Sequence, residues 1–359
     1  MKLGLFMMPL HPPEKDRTQC FEEDIELVVH ADRLGFTEAW VGQHHTIAWE
    51  PIPSNDVFIA NVLPHTENIR LGPGVSIIPH HHPANVAARL ALLDHLSRGR
   101  INCGFGQTGI ATDSELFNLP DRKTQGLMTV EGIDMILKLW QAEAPFDFKG
   151  QFWHIKIENP VPERGIGELL RPYQKPHPPL AMSATQGESL ACRMAGQRGY
   201  MPLSTNIVPA ATTVAEHWRT YCAGAEEAER PPPDRSIWRV ARSIFVGESN
   251  KDAWNQVLNG AFARSFEYLI SVIRARNVLN LMKHDLDILD DEVTPEYVLK
   301  HLCIIGDVDE CIRQLHALWD VTGGFGTLLM MAHDWDDRAK WMRSMELLAK
   351  HVVPALPTV

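Results

Sequence analysis

Short apolar segments alternate with longer helical segments along most of this chain, and this alternation restricts the possible folds more than any other feature. The strand-like segments are KLGLFMMP, FTEAWVGQH, IRLGPGVSIIP, RINCGFGQ, PPLAMSAT, GYMPLST, RSIWRVARSIFVG and GFGTLLMMAHD. Helical periodicity separates them, for example in residues 21–34, which Gly35 follows, and in residues 84–97, which Gly99 ends. The alternation predicts a parallel α/β sheet, and eight strands are enough to close a (β/α)8 barrel.

Two stretches depart from this alternation. Residues 142–178 are rich in proline and show little periodicity, which predicts a long loop or an insertion. Residues 248–322, between the last two strands, are unusually long, mostly helical and charged. We expect one domain, residues 1–359, with insertions at about 142–178 and 248–300.

The charge and the cysteine content exclude several classes of protein. The chain has 34 basic and 45 acidic residues, a net charge of −11, with the basic residues scattered, so nucleic acid and membrane are not expected partners. The six cysteines form no C-x-x-C pair, and the first residues lack a signal-peptide core. These features predict a cytoplasmic enzyme.

Polar residues at the carboxyl ends of the strands are candidates for chemistry, because active sites of (β/α)8 barrels lie there. The second strand ends in Gln43, His44 and His45. Successive strand residues point to opposite faces, so one imidazole faces the barrel mouth and the other packs outside it. Both can be structural, or one can be a catalytic acid or base. The chain has no H-E-x-x-H motif, so we expect no metal.

Two further strand ends suggest ligand contacts. Gly104, Gly106 and Gly109 match G-x-G-x-x-G but follow the fourth strand, so we interpret Gly106 and Gly109 as room for a bulky ligand rather than a dinucleotide motif. The fifth strand continues into residues 183–189, where the free amides of a helix start can bind a phosphate. Alternatively, Thr185 or Ser189 only caps that helix.

The segment RLGPGVSIIPHHHPANVAARLALLDHLSRGRINCGFG resembles the strand-helix-strand core of the bacterial luciferase superfamily. The matching positions are Pro79, His82, Pro83, Leu93, Asp94, Ser97, Gly99 and Arg100. The endings WVGQHH and GGFGTLLMMAHDW resemble its limonene and diketocamphane monooxygenase branch. The resemblance implies a TIM barrel of the bacterial-luciferase type.

The resemblance also implies an activity. It implies the oxygenase component of a two-component monooxygenase, a homodimer that takes reduced FMN from a separate flavin reductase and uses O2 to oxygenate a small apolar, terpenoid-like or cyclic ketone substrate. His44 matches the catalytic histidine, and Gly74 and Val75 match a cis peptide beside the flavin ring. The other residues expected to bind FMN are Asn102, Gly106, Gln107, Ser183, Ala184, Thr185, Gly187, Glu188 and Ser189.

The chain departs from the family pattern at three positions. Gly106 replaces a reactive cysteine and Gln43 replaces a glutamate. Gln107 replaces an arginine that grips the phosphate, so the grip must come from the helix amides, from Arg193 or from another loop residue. We therefore expect weak binding of oxidised FMN.

Two alternatives and one mobile element remain as hypotheses. The chain can instead be a hydride-transfer oxidoreductase that uses a deazaflavin or NAD(P)H, or a flavin-binding protein without catalysis. Residues 264–292 match the region that includes the family's lid over the barrel mouth, and their pattern predicts one packed and one wet face. They can alternatively form a rigid helix, in which case residues 142–178 would seal the site.

Overall fold

The computed structural model describes residues 1–185, 187–205 and 210–359. The strands are β1 (Lys2–Met7), β2 (Glu38–Val41), β3 (Arg70–Pro73), β4 (Ser76–Ile77), β5 (Cys103–Gly106), β6 (Phe146–Lys149), β7 (His154–Ile157), β8 (Leu180–Ala184), β9 (Met201–Ser204), β10 (Arg239–Arg242), β11 (Ile244–Val246), β12 (Ile304–Gly306) and β13 (Thr327–Met331). The α-helices are α1 (Arg17–Arg33), α2 (Asn55–Val62), α3 (Pro83–Leu96), α4 (Ala111–Leu116), α5 (Arg122–Leu139), α6 (Leu190–Arg198), α7 (Ala211–Glu227), α8 (Asn250–Leu258), α9 (Ala261–Ala275), α10 (Pro295–Leu302), α11 (Val308–Thr322) and α12 (Arg338–Leu347).

The main sheet is the expected parallel barrel. Its order is β3-β2-β1-β13-β10-β9-β8-β5-β4, and every pair in it is parallel. β3 and β4 are two halves of the predicted third strand, and the bridge between Leu71 and Ile101 joins the two ends of the sheet. The eight predicted strands therefore all contribute to the barrel.

Three short elements were not predicted. β6 and β7 form an antiparallel hairpin inside residues 142–178, which the sequence presented as an irregular insertion. The seventh predicted strand divides after Arg242, so that β10 stays in the barrel while β11 pairs with β12 in a separate two-stranded sheet. The six-residue helix α4 follows the fourth barrel strand.

Two hydrophobic layers hold the barrel together. The smaller one fills the barrel interior and consists of Phe6, Trp40, Ala181, Leu203, Ala241, Leu329 and Met331. The larger one lies between the strands and the surrounding helices. The interior also contains an ion pair, in which Arg239 donates to both oxygens of Glu38 at 2.9 and 3.0 Å. The indole of Trp40 donates to the same carboxylate at 2.9 Å, which satisfies its buried N–H.

The helix ends follow the local sequence signals. Gly35, after α1, has φ of 82°, and Gly99, after α3, has φ of 88°, so both predicted terminators adopt the left-handed conformation that glycine permits. Asp16, Asp121 and Ser189 each accept a backbone hydrogen bond at the start of a helix. Among the described residues, no helix combines the length and the apolar character needed to cross a bilayer.

The close approach of the third and fourth strands yields a stability prediction. A Cβ atom at Gly104 would lie 2.3 Å from the carbonyl oxygen of Pro73, and a backbone atom inside a barrel has little room to retreat. We expect Gly104→Ala to lower the free energy of unfolding by about 1–3 kcal/mol, measured by denaturant titration. Gly109→Ala is the matched control, because no atom of the described residues lies within 4 Å of its added Cβ. Equal stabilities of the two variants would contradict the prediction.

Candidate active site

His44 follows β2 at the carboxyl end of the barrel and lies between two buried carboxylates. Its Nδ1 is 3.2 Å from Oδ2 of Asp113, and its Nε2 is 3.3 Å from Oε2 of Glu50. Burial alone would lower the pKa of His44, but the hydrogen bond to Asp113 and the charge of Glu50 raise it above its ordinary value. The site therefore favours the imidazolium form.

Asp113 is the better anchored of the two carboxylates. It is fully buried on α4 and accepts hydrogen bonds from the backbone N–H of His45 at 3.2 Å and from Oγ1 of Thr46 at 2.6 Å. Burial would raise the pKa of Asp113, yet the hydrogen bonds from His44 and Thr46 hold it well below its usual range. Glu50 differs, because burial raises its pKa and its Oε2 has no hydrogen bond within the described residues. Asp113 is thus the group that fixes the imidazole orientation.

His45 lies on the other side of the strand end, as the alternation of side chains predicts. Its ring contacts those of His80, at 5.2 Å between centroids, and Phe117, at 4.7 Å. The rings of His80 and Phe117 are stacked at 4.2 Å. Burial lowers the pKa of His45, and it lowers that of His80 to about 4, so both rings are neutral near pH 7. These contacts are those of packed aromatic rings.

A small cavity lies next to His44. Its enclosed volume is about 10 Å³, room for about one water molecule, and its lining is Met7, Met8, Pro9, Gly42, Gln43, His44, Glu50, Pro51 and Ile52. Sites for small molecules usually span roughly 300–1,000 Å³. The lining is mostly apolar but carries the imidazole, so a ligand that enters this space after the surrounding loops open would meet a proton-transfer group.

Buried polar atoms without partners surround the third strand, where a flavin ring is expected. Within the described residues, Nε2 of Gln43 and Oε1 of Gln107 are buried and make no hydrogen bond. The peptide bond between Gly74 and Val75 is cis, and Asn55 donates to the carbonyl of Val75 at 3.0 Å. One free amide donor and one free amide acceptor fit a ring whose edge carries both N–H and C=O groups. The residues present therefore fit the isoalloxazine part of FMN.

The start of α6 is a less favourable place for the phosphate. Oγ of Ser189 accepts from the backbone N–H of Cys192 at 3.3 Å, which is the capping alternative, and α6 begins at Leu190. The Oε2 atom of Glu216 lies only 1.9 Å from the position that a Cβ on Gly187 would take, so a second carboxylate adjoins this turn. Thr185 and Glu188 are exposed, and Gln186 lies outside the described residues.

The remaining residues of the fifth strand end are placed as follows. Ala184 is fully buried at the end of β8. Oγ of Ser183 and Oγ1 of Thr205 are 2.6 Å apart. Arg193, considered above for the phosphate, forms an ion pair with Glu227 instead. No cation of the described fifth strand end is therefore free to replace the arginine missing at Gln107.

Asn102 requires a correction. It precedes β5, at the amino end of the barrel, and its Oδ1 accepts from Nε of Arg70 at 2.9 Å. The cofactor-binding residues expected elsewhere lie at the carboxyl ends of their strands, so Asn102 belongs to the floor of the barrel and we remove it from the site. The sequence placed it wrongly because the start and the end of this short strand were not distinguished.

Gly106 and Gly109 differ in how crowded they are. A Cβ on Gly106 would lie 2.7 Å from Cγ2 of Val75, whereas no described residue comes within 4 Å of a Cβ on Gly109. Gly106 thus permits close contact between the third and fourth strand ends, and Gly109 borders open space.

Helix α9 extends over this end of the barrel. The ring of Phe262 is 4.2 Å from that of His333, which follows β13. Further along the helix, Tyr268 stacks on Trp49 at 4.6 Å, one residue before Glu50. After the helix, Nη2 of Arg276 donates to the carbonyl of Gly109 at 3.1 Å. The region expected to include a lid therefore contacts loops on both sides of the mouth.

His11, Glu23 and Asp334 are close enough together to suggest a cation site. However, Nδ1 of His11 is 3.0 Å from Asp334 and Nε2 is 3.1 Å from Asp24, so neither ring nitrogen is free for a metal. The Nζ atom of Lys15 lies 2.5 Å from both Glu23 and Asp334. His11 and Lys15 are therefore the cations of this network, which connects the loop after β13 to α1.

Sequence reasoning missed Asp113, Glu50 and His333. His333 follows the eighth strand, so the rule used for the other strand ends would have found it. Asp113 lies 69 residues from His44 on a helix too short to show periodicity, and no local pattern indicates that they meet. Glu50 lies in an irregular loop and has no signal beyond its charge.

Comparison with known proteins agrees with this geometry. The family model of luciferase-like monooxygenases matches residues 1–324. The 4-hydroxyprotoasukamycin monooxygenase of Streptomyces nodosus subsp. asukaensis is 33% identical over 99% of this chain and 92% of its own length. For limonene 1,2-monooxygenase of Rhodococcus erythropolis the identity is 30%, over 98% of this chain and 85% of the relative.

A solved structure extends the likeness to three dimensions. The oxygenating constituent of 3,6-diketocamphane monooxygenase from Pseudomonas putida, a type II Baeyer-Villiger monooxygenase in complex with FMN, superposes with a TM-score of 0.92. The identity is 29%, over 100% of this chain and 99% of that one. The expected resemblance to the limonene and diketocamphane monooxygenases and the expected barrel are thereby confirmed.

Proposed function

Because this chain belongs to the luciferase-like monooxygenase family, we propose that it is the oxygenase component of a two-component, FMN-dependent monooxygenase. The two relatives named above are monooxygenases, and the superposed structure is an oxygenating constituent in complex with FMN. The observation that carries the proposal in this chain is the imidazole of His44 between two carboxylates, next to Gln43, whose buried amide donor has no partner among the described residues.

Reduced FMN, delivered by a flavin reductase, supplies two electrons, so that one atom of O2 enters the substrate and the other leaves as water. Gln43, Gly74, Val75 and Gln107 would hold the ring. We assign proton donation to His44, because Asp113 and Glu50 raise its pKa and Asp113 orients Nδ1. Nε2 faces Glu50 at 3.3 Å without a hydrogen bond between them, so it is the nitrogen that would exchange a proton with a ligand placed beside it.

The substrate proposed for this site is a small apolar molecule of the terpenoid or cyclic ketone class. Methionine, proline and isoleucine side chains make up most of the cavity next to His44, and they offer dispersion contacts but few hydrogen bonds. A ketone oxygen would find its polar partner in the imidazole itself.

Oxygen uptake by the purified protein tests the proposal directly. Chemically reduced FMN and O2 are supplied with cyclic ketones, terpenes and aldehydes in turn, and both oxygen consumption and oxygenated product are measured. A monooxygenase couples the two. Hydride transfer from a deazaflavin or NAD(P)H without oxygen uptake would support the alternative enzyme class, and flavin binding without either reaction would indicate a non-catalytic protein.

The phosphate environment predicts weak binding of oxidised FMN. Gln107 cannot form the ion pair of an arginine, and Glu188 and Glu216 adjoin the start of α6. We expect the protein to lose FMN during purification, as measured by the absorbance ratio of flavin to protein. Gln107→Arg should retain more FMN than wild type, whereas a wild-type protein with near-full occupancy would contradict this account.

The assembly and location that we propose are a homodimer in the cytoplasm, with residues 1–359 as one domain. Sedimentation of the purified protein over a range of concentrations measures the first, and fractionation of the source cells measures the second. A single calorimetric unfolding transition is expected if the chain is one domain.

A further inference from the structure

His333 is a buried histidine after β13 to which the proposed mechanism gives no role. Its side chain is 1% exposed, and its Nε2 is 2.9 Å from Oγ of Ser243, the residue that follows β10. Its other ring nitrogen, Nδ1, is buried and makes no hydrogen bond within the described residues. A buried polar atom without a partner destabilises the folded protein, so it is expected where a ligand supplies that partner.

The alternation of side chains along β13 places His333 on the barrel-facing side. Leu329 and Met331 both belong to the hydrophobic layer that fills the barrel interior. The strand pairing continues past them, because the backbone N–H of Ala332 donates to the carbonyl of Phe6 at 2.9 Å. Successive strand residues point to opposite faces, so His333 follows Met331 on the inner face, nearer the mouth.

Ser243 lies on the inner face of the neighbouring strand. On β10, Arg239 donates to Glu38 in the barrel interior and Ala241 belongs to the interior layer, so Ser243 is the next residue on that face. Because β10 and β13 pair directly, the bond between Ser243 and His333 joins two adjacent strands at the mouth. This bond holds the ring through Nε2 and leaves Nδ1 as the nitrogen for a further partner.

His333 and His44 lie on either side of β1 at the same end of the barrel. β1 pairs with β13 on one side and with β2 on the other. Met8, which follows β1, packs against the interior layer and lines the small cavity next to His44. A ligand in the barrel mouth would therefore encounter two imidazoles with an apolar methionine between them.

The two imidazoles differ in charge. Asp113 and Glu50 raise the pKa of His44, whereas burial lowers the pKa of His333 to about 3 against the opposing charge of Asp334. His333 is therefore neutral near pH 7, and its free nitrogen can take part in one hydrogen bond. The ring of Phe262 covers it at 4.2 Å between centroids. A neutral imidazole in such surroundings suits an uncharged oxygen better than an anion.

We propose that His333 binds a second oxygen of the substrate, away from the reacting carbon, and that the substrate is therefore a cyclic ketone with a further carbonyl or hydroxyl group. This inference rests on the proposed function, in which His44 serves the reacting end of a small ketone. A substrate with a single oxygen leaves Nδ1 of His333 without a partner. A diketone or a hydroxyketone satisfies both imidazoles, so His333 determines specificity rather than proton transfer.

The two amide side chains separate this role from a structural one. The amide of asparagine takes about the place of Nδ1 and that of glutamine about the place of Nε2, so His333→Asn keeps a partner for the substrate and His333→Gln keeps one for Ser243. Both variants and His333→Leu are assayed, with reduced FMN and O2, on cyclohexanone against 1,4-cyclohexanedione and on 2-decalone against 2,6-decalindione.

The measured quantity is the ratio of kcat/KM for the diketone to kcat/KM for the monoketone. We expect wild type to prefer the diketone of at least one pair. His333→Leu and His333→Gln should lower this ratio about tenfold or more, mainly through KM, because a lost ground-state hydrogen bond weakens binding. His333→Asn should stay within about threefold of wild type.

A purely structural His333 predicts the reverse order, with His333→Gln closer to wild type than His333→Asn. The matched control is His217→Leu, because Nδ1 of His217 is 2.8 Å from Oγ of Ser204 in a similar buried pair on the helix-facing side of β9. It should lower the melting temperature without a change in the ratio. An unchanged ratio in His333→Leu and His333→Gln would overturn the proposal, and so would a wild type without preference for either diketone.

Failure of this inference is distinguishable from failure of the proposed function. If wild type couples oxygen uptake to product from terpenes, aldehydes or monoketones but shows no dependence on a second oxygen, the inference alone is wrong. If wild type couples oxygen uptake to product from no substrate, both are wrong.

Discussion

Replacement of His44 by alanine is expected to lower product formation by about 100-fold or more while FMN stays bound, because that is the usual scale of a lost general acid or base. The imidazole is the titratable group at the mouth that the structure both orients and charges, through Asp113 and Glu50. Steady-state product formation, with FMN binding measured separately, tests the assignment. Unchanged turnover would remove His44 from the mechanism.

Two variants serve as controls for His44→Ala. His45→Ala should cost stability through lost contacts with His80 and Phe117, but not two orders of magnitude in rate. Asp113→Asn removes the carboxylate that raises the pKa of His44, so that pKa should fall. If the imidazolium donates the proton, activity falls as pH rises through this pKa, and Asp113→Asn should move the decline to lower pH. A merely structural Asp113 would lower the rate without moving the profile.

The contrast between His44 and its carboxylate partners shows which parts of the site can be predicted from the sequence. The barrel, its eight strands and the strand-end position of His44 were predictable, because apolar runs of strand length and the glycines after helices are local signals. Asp113 was not. Its contact with His44 depends on a 69-residue separation closed by tertiary packing, which no linear pattern displays.

The same reasoning explains the errors at the insertions. The four-residue strands of the β6–β7 hairpin were not predicted within the proline-rich stretch, because segments so short show no reliable periodicity. The segment RSIWRVARSIFVG looked like one strand because its apolar character is continuous across Ser243, although the pairing partner changes there from β13 to β12. Pairing is a tertiary property, so the division lies beyond a local pattern.

The residues expected to include a lid divide into two parts with different packing. The first part, on α9, is amphipathic as predicted, and Phe262, Phe266 and Leu269 are buried under it. Beyond Ile270 most side chains are exposed, although Leu279 and Met282 are buried. The rigid-helix alternative therefore describes the first part well. The second part is mostly exposed and contacts Gly109 through Arg276, so it is the part that we expect to open as a lid.

Shortening of residues 270–290 is expected to leave the barrel folded and FMN bound, while most of the consumed oxygen becomes hydrogen peroxide. Exclusion of water from the reacting flavin is the physical purpose of such a cover, and its loss lets oxygen leave as peroxide without entering the substrate. The ratio of peroxide to product, at equal oxygen uptake, is the measurement.

A point variant separates the seal from the deletion itself. Arg276→Met removes the contact with Gly109 but keeps the whole segment, so it should raise peroxide release less than the deletion does. Arg274→Met is its matched control, since that side chain binds Asp290 within the segment and does not reach the strand-four loop. If the shortened protein couples oxygen to product as well as wild type, this segment is not the cover. The proline-rich residues 142–178, with their β6–β7 hairpin, would then be the next candidates for the seal.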